Sequence, residues 1–281
     1  MITHNGTYLS AATHHGMPIY AATMGGKMVI GGWLLPLTRQ AIVAAFGSAE
    51  GTEVIRKTND YLNRIATTDP ARALLLANFI NEDPLLVCSL VETSKTRWLV
   101  GDGKAYVDTG VIPIDATLYE VVGSINPTSN SSLLGLHIGK STYNYIAGYL
   151  TNAQFKCFVV NWGNGTHSRG AGVKDANLHR HKFDRITGEY NVDDNSVILT
   201  VGATASTDTL KLFANSPYNQ RCSGNVVECK MSNGTTPIRE MYPMQRTDGT
   251  CGMLDIISGT FYPNANTEGA FTIALTDKTT S

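Results

Sequence analysis

Charged side chains are scarce in this chain, at 16% of residues. They nearly cancel, with 22 Lys and Arg against 23 Asp and Glu for a formal net charge of -1. With no basic excess, and with the cations scattered, nucleic acid is excluded as the main partner. Cysteine is equally sparse. Cys88, Cys157, Cys222, Cys229 and Cys251 form an odd set with no C-x-x-C spacing, so neither a disulfide framework nor a zinc site is signalled. They read as reduced core thiols, with Cys222 and Cys229 the pair that could meet across strands. No long apolar run exists: residues 17–37 are interrupted by Pro, Gly and Lys27, which excludes a membrane span there. The opening residues lack a basic region and an apolar core, so the expectation is a soluble chain without a secretory leader. A nucleophile elbow, an H-E-x-x-H helix, a Walker A run and a dinucleotide fingerprint are all missing, so no enzyme activity, cofactor or metal is expected.

What the chain does have is glycine, 27 residues in 281, together with many short polar side chains, a turn-rich composition that favours β-structure. Its length favours two units. Glycine recurs at positions 6, 16 and 26, and each unit of this ten-residue repeat places Asn-Gly, His-Gly or Gly-Gly before a short apolar run. Such turns accept positive φ and join the strands of a meander, which assigns residues 1–36. Three strands alone bury too little to be stable in water. The meander therefore leans either on another protein or on its own chain.

Residues 37–95 change to helical periodicity. Val54, Ile55, Thr58, Tyr61, Leu62 and Ile65 make one stripe, predicting a helix over 52–66. Asp69-Pro70 and Asp83-Pro84 each read as an N-cap followed by proline, and Thr38 as the cap of a further helix ending near Gly47. The segment reads as a helical linker or junction.

Residues 96–281 read as many short strands separated by turns, hence a β-sandwich. Asp193-Asp194-Asn195 and Ser232-Asn233-Gly234 mark hairpins. Ser258-Gly259 predicts a tight reversal between apolar runs at 253–257 and 260–262. The run from Arg239 to Phe271, with Ala105–Gly110 and Leu210–Asn215 upstream, resembles the laminin-G-like, concanavalin-like jelly-roll domains of structural proteins in tailed phages of gut Bacteroides-type bacteria, the crAss-like phages. The likeness spans residues 97–275. Ile238-Arg239-Glu240-Met241-Tyr242-Pro243 falls where that family carries an apolar cassette after an Asn-Gly hairpin, with Met241-Tyr242 in place of the usual Phe-Ile type pair.

The resemblance implies a mainly β protein with a C-terminal jelly-roll sandwich. It further implies a virion component (head fibre, capsid decoration or tail appendage) that contacts other capsid or tail proteins through its N-terminal module. A homotrimer and host or mucosal glycans as ligands are implied with it. A bacterial surface polysaccharide-binding lectin is the alternative, and a polysaccharide-cleaving enzyme of the same fold the third reading.

For ligand contact the candidates are Trp162, Asn164, His167 and Arg169, an aromatic face and three hydrogen-bonding groups around glycines. Trp162 reads first as a strand-end core residue, because large aromatics are normally buried. Glu189 with Asp193 or Asp194 is the nearest approach to a carboxylate pair but reads first as a solvated hairpin face, and His179-Arg180-His181 reads as a strand edge rather than as metal ligands. Asp193, Asp194 and Asn195 would need further oxygen ligands to hold calcium.

Overall fold

A computed structural model of the chain describes the backbone of residues 2–4, 7–14, 17–24, 27–29, 33–125, 131–138, 142–150, 157–161, 168–169, 177–198, 208–214 and 223–278. Side chains are described within residues 33–124, 134, 177–198, 208–214 and 223–278. The chain is mainly β, with a large antiparallel sheet, and divides into two compact units, Met1–Lys95 and Thr96–Ser281.

In the first unit β1 (Ile2–His4), β2 (Thr7–His14), β3 (Met17–Met24) and β4 (Lys27–Val29) pair antiparallel in sequence order. Tyr8 lies opposite Thr23 and Ala22 opposite Val29, so successive repeats become successive strands. β1, which precedes the repeat, adds a fourth strand. The turn residues of the repeat lie outside the described residues.

The helices follow: α1 (Pro36–Phe46), α2 (Ser48–Ala66), α3 (Pro70–Glu82) and, after a 3-10 turn at Pro84–Leu86, the short α4 (Val87–Leu90). Thr38 is not a cap. It lies inside α1, where its hydroxyl donates to Asn81 Oδ1 at 2.8 Å. That oxygen also accepts from Leu35 N–H at 2.9 Å, and Asn81 Nδ2 donates to the Trp33 carbonyl at 3.0 Å. A side chain from α3 thus satisfies a donor that a local cap would otherwise serve. α2 begins at Ser48, earlier than the predicted 52. Gly47, at φ 79, ends α1 in a conformation suited to glycine and lets the chain restart at once. Asp69 caps α3, accepting from Arg72 N–H at 2.9 Å, whereas the Asp83 side chain makes no such bond. In α2 the buried stripe is Gly51, Val54, Thr58 and Leu62, with Ile55, Tyr61 and Ile65 half-buried beside it.

The second unit carries two sheets. The smaller contains β6 (Val107–Asp108), β8 (Ser131–Ile138), β9 (Thr142–Leu150), β10 (Cys157–Asn161), β11 (Ser168–Arg169) and β15 (Lys211–Leu212), in the order β11-β10-β9-β8-β15-β6. The larger runs β14 (Asn195–Ile198), β13 (Glu189–Val192), β12 (His179–Asp184), β7 (Leu118–Ile125), β16 (Gly224–Asn233), β17 (Thr236–Gln245), β18 (Cys251–Asp255), β19 (Thr260–Pro263). β5 (Lys95–Gly101) joins it by pairing with β16, and β20 (Phe271–Asp277) by pairing with β5.

β7 pairs with β16 along nearly all of its length, so β5 and β17 divide the opposite edge of β16 between them, on either side of a bulge at Val226/Glu228. β5 is a strand that the sequence reading did not separate from its surroundings. Its alternation rests on Arg97, Leu99 and Gly101 facing inward.

Both sheets feed one core. Val107, Leu134 and Leu212 from the smaller sheet share it with Tyr119, Phe183, Val226 and Met253 from the larger. Each such burial contributes about 1.5–3 kcal/mol. Tyr119 stacks on Phe183 with ring centroids 6.3 Å apart, and Phe213 meets Phe271 at 5.1 Å. Cys229 and Cys251 are buried here as thiols, and burial pushes the Cys229 thiol well up. Cys222 lies outside the described residues.

The reversal predicted at Ser258-Gly259 is wider than a two-residue turn. Asp255 pairs with Thr260, leaving the loop Ile256-Ile257-Ser258-Gly259. The Asp255 carboxylate holds that loop, accepting from Ile257 N–H, Ser258 N–H and Ser258 Oγ.

Candidate functional site

Alternation along the strands of the larger sheet decides which side chains share its outer face. Tyr119 and Val121 of β7 enter the core, as do His181 and Phe183 of β12, Cys229 and Met231 of β16, and Met241 of β17. Glu120, Arg180, Lys182, Lys230 and Glu240 therefore point the other way. Register completes the pattern: Lys182 lies opposite Glu120, Glu120 opposite Lys230, and Lys230 opposite Glu240. The outcome is a row of alternating sign across four strands, each opposed pair contributing about 0.2–1 kcal/mol.

Further contacts tie this row together. Arg180 Nη1 donates to Glu228 Oε1 at 2.8 Å and also pairs with Glu120. Lys230 Nζ lies 3.0 Å from Glu228 Oε2 and 3.8 Å from Glu240 Oε1. Tyr242 donates its hydroxyl to Glu240 at 2.8 Å, and Lys230 Nζ sits 5.8 Å from the Tyr242 ring centre. Partial burial opposes the Arg180 charge, but Glu228 and then Glu120 outweigh it and raise the guanidinium above its ordinary value.

Where this row meets the β16–β17 hairpin, a cavity of about 470 Å³ opens among Glu120, Lys230, Glu240, Thr235, Leu118 and Pro237. The hairpin turns at Gly234-Thr235, with Gly234 at φ 56. Thr117 fastens it to the start of β7: its Oγ1 accepts from Gly234 N–H at 2.8 Å, and its N–H donates to the Ser232 carbonyl at 2.8 Å. The cavity thus rests on rigid strands with one exposed turn at its mouth.

The opposite face of β12 carries a histidine pair. His179 Nδ1 donates to Asp193 Oδ2 at 2.7 Å, and the other carboxylate oxygen accepts from Arg180 N–H at 2.9 Å. His181 is fully buried, hydrogen-bonded at 2.9 Å to the Tyr190 hydroxyl. Burial first, and the neighbouring His179 second, push its pKa down to about 3. Burial disfavours the Asp193 charge, but the Arg180 N–H and the His179 ring outweigh this and lower its carboxyl below the ordinary value.

The structure corrects one sequence expectation here. β12 lies between β13 and β7, so His179-Arg180-His181 is not a sheet edge. Glu189 and Asp193 do not converge: Glu189 pairs with Ile198, whereas Asp193 sits in the turn beyond Val192 and Asn195 at the other end of β13. Both oxygens of Asp193 are occupied, and among the described residues no three His, Cys, Asp or Glu side chains gather as metal ligands.

Trp162, Asn164 and His167 lie outside the described residues. Arg169 is placed only as backbone, opposite Val159 at the β11 edge of the smaller sheet. The residues that line the cavity were missed because Glu120, Lys230 and Glu240 each read alone as a solvated strand position. Their signal is a charge between two apolar neighbours (Tyr119-Glu120-Val121, Cys229-Lys230-Met231) in separate strands, and it acquires meaning only through register. Among the described residues no single helix is long and apolar enough to cross a membrane. No protein-family model matches the chain, and comparison with curated proteins finds no match.

Proposed function

We propose that this protein is a structural component of a tailed-phage virion, a head fibre, capsid decoration or tail appendage. In this reading residues 96–281 form a concanavalin-like jelly-roll sandwich displayed outward, and the N-terminal module engages other capsid or tail proteins, with the protein assembled as a homotrimer. The observation that carries the proposal is the common core beneath two sheets in the Thr96–Ser281 unit. That is the arrangement of a body able to stand by itself. The likeness of the 239–271 run to phage jelly rolls supports the particle as its setting. The test is direct. Particles banded from a lysate of the source culture are probed by peptide mass spectrometry and immunogold electron microscopy, and the purified chain is sized by analytical ultracentrifugation. Co-banding with gold on the particle and a trimeric mass are expected; a protein left entirely in the particle-free fraction overturns the reading.

A further inference from the structure

We infer that the cavity beside the β16–β17 hairpin is a binding site for a neutral oligosaccharide. This deepens the display reading above and rests on it only for the source of the ligand. At about 470 Å³ the cavity falls within the roughly 300–1,000 Å³ typical of small-molecule sites. Its chemistry then selects the class of ligand. Glu120 and Glu240 stand two strands apart, about 9–10 Å by sheet geometry, with Lys230 between them. Lys230 is engaged by Glu228 and Glu240, and Arg180 by Glu120 and Glu228. Arg239, the other cation of the lining, donates to the Thr109 and Ile238 carbonyls and lies 3.7 Å from Asp255, so among the described residues no lining cation is left over to favour a phosphate, sulfate or uronate. A cationic ligand would face Lys230 at the centre of the floor.

Hydroxyl groups suit what remains. Each carboxylate has lone pairs beyond those its protein partners use, and the Thr235 hydroxyl can donate or accept. Leu118 and Pro237 supply the apolar patches on which the C–H faces of a sugar ring lie. Contacts of this kind are individually weak, and several copies on one particle would raise the apparent affinity through avidity.

The experiment uses the purified full chain and saturation-transfer difference NMR with cellohexaose, xylohexaose and mannohexaose, and hexagalacturonate as the anionic comparison. Transfer to at least one neutral hexaose is expected, with little to the uronate. Thr235→Trp, in an exposed turn, should block the mouth and weaken binding at least tenfold with the thermal midpoint unchanged. Glu240→Gln, which keeps the side-chain shape, should weaken it by a similar factor. Silence from all three neutral probes, transfer undiminished by Thr235→Trp, or preference for the uronate overturns the assignment. Binding that persists when the protein fails to band with particles removes the virion reading alone, and co-banding without binding removes this site alone.

Discussion

Ser258 Oγ donates to Asp255 Oδ2 at 2.6 Å, closing the loop between β18 and β19 on a carboxylate that has no exposed surface. The same group accepts from Glu240 N–H at 2.9 Å, and Arg239 Nε lies 3.7 Å away. Asp255 therefore links the loop to the neighbouring strand β17. Asp255→Ala leaves several buried donors without an acceptor and should lower stability by about 3 kcal/mol, whereas Ser258→Ala, which removes one bond, should cost about 1 kcal/mol. Urea denaturation of the two variants checks the ranking, and equal losses would contradict it.

The strand pattern of the second unit was readable because burial alternates with period two, as at Glu189–Val192. The Asp193-Asp194 reversal was readable from turn chemistry. Distant partners were not. Asn81 takes over a helix start 46 residues upstream, at Leu35, so a local rule wrongly nominated Thr38. The charged row is likewise non-local: Glu120 and Lys230 are ordinary residues until β7 and β16 align. Which strands become neighbours is a property of topology that no short window of sequence encodes.

His181 makes stability depend on pH. Its ordinary value of 6.5 falls to about 3 in the folded protein, so between these limits the unfolded chain binds more protons. Stability is greatest above about pH 6.5 and is lost as pH falls toward 3, with a slope of up to about 1.4 kcal/mol per pH unit from this group. In His181→Gln that part of the slope should vanish. Denaturation midpoints at pH 7.5, 5.5 and 4.5 for both proteins measure it, and identical slopes would refute the assignment.

Gly51 sits in the buried stripe of α2, where an added Cβ would lie 2.7 Å from Val43 Cα in α1. The obstacle is backbone, which cannot rotate aside as a flexible side chain would. Gly51→Ala should therefore destabilise the helical region by about 1–3 kcal/mol, although alanine is the better helix former. Circular dichroism at 222 nm during thermal melting reads the change. A stabilised variant would mean that α1 and α2 are not held this close.

Arg180 bridges Glu120 and Glu228, whose side chains are only 19% and 12% exposed, while its own is 53% exposed. The energetic weight of this cluster therefore lies with the acids. Removing the cation leaves two poorly solvated carboxylates across β7 and β16 with Lys230, 3.0 Å from Glu228, as the remaining close counter-charge, and such an under-compensated pair is costlier than the loss of an ordinary surface ion pair. Arg180→Met should cost about 2 kcal/mol. In the Glu228→Gln background the same change should cost about half as much, because one of the two charges to be compensated is already gone. A double-mutant cycle by urea denaturation isolates the coupling. Repeating it at high salt separates it from a screened surface interaction, which would shrink to nothing while coupling among the shielded acids persists in part.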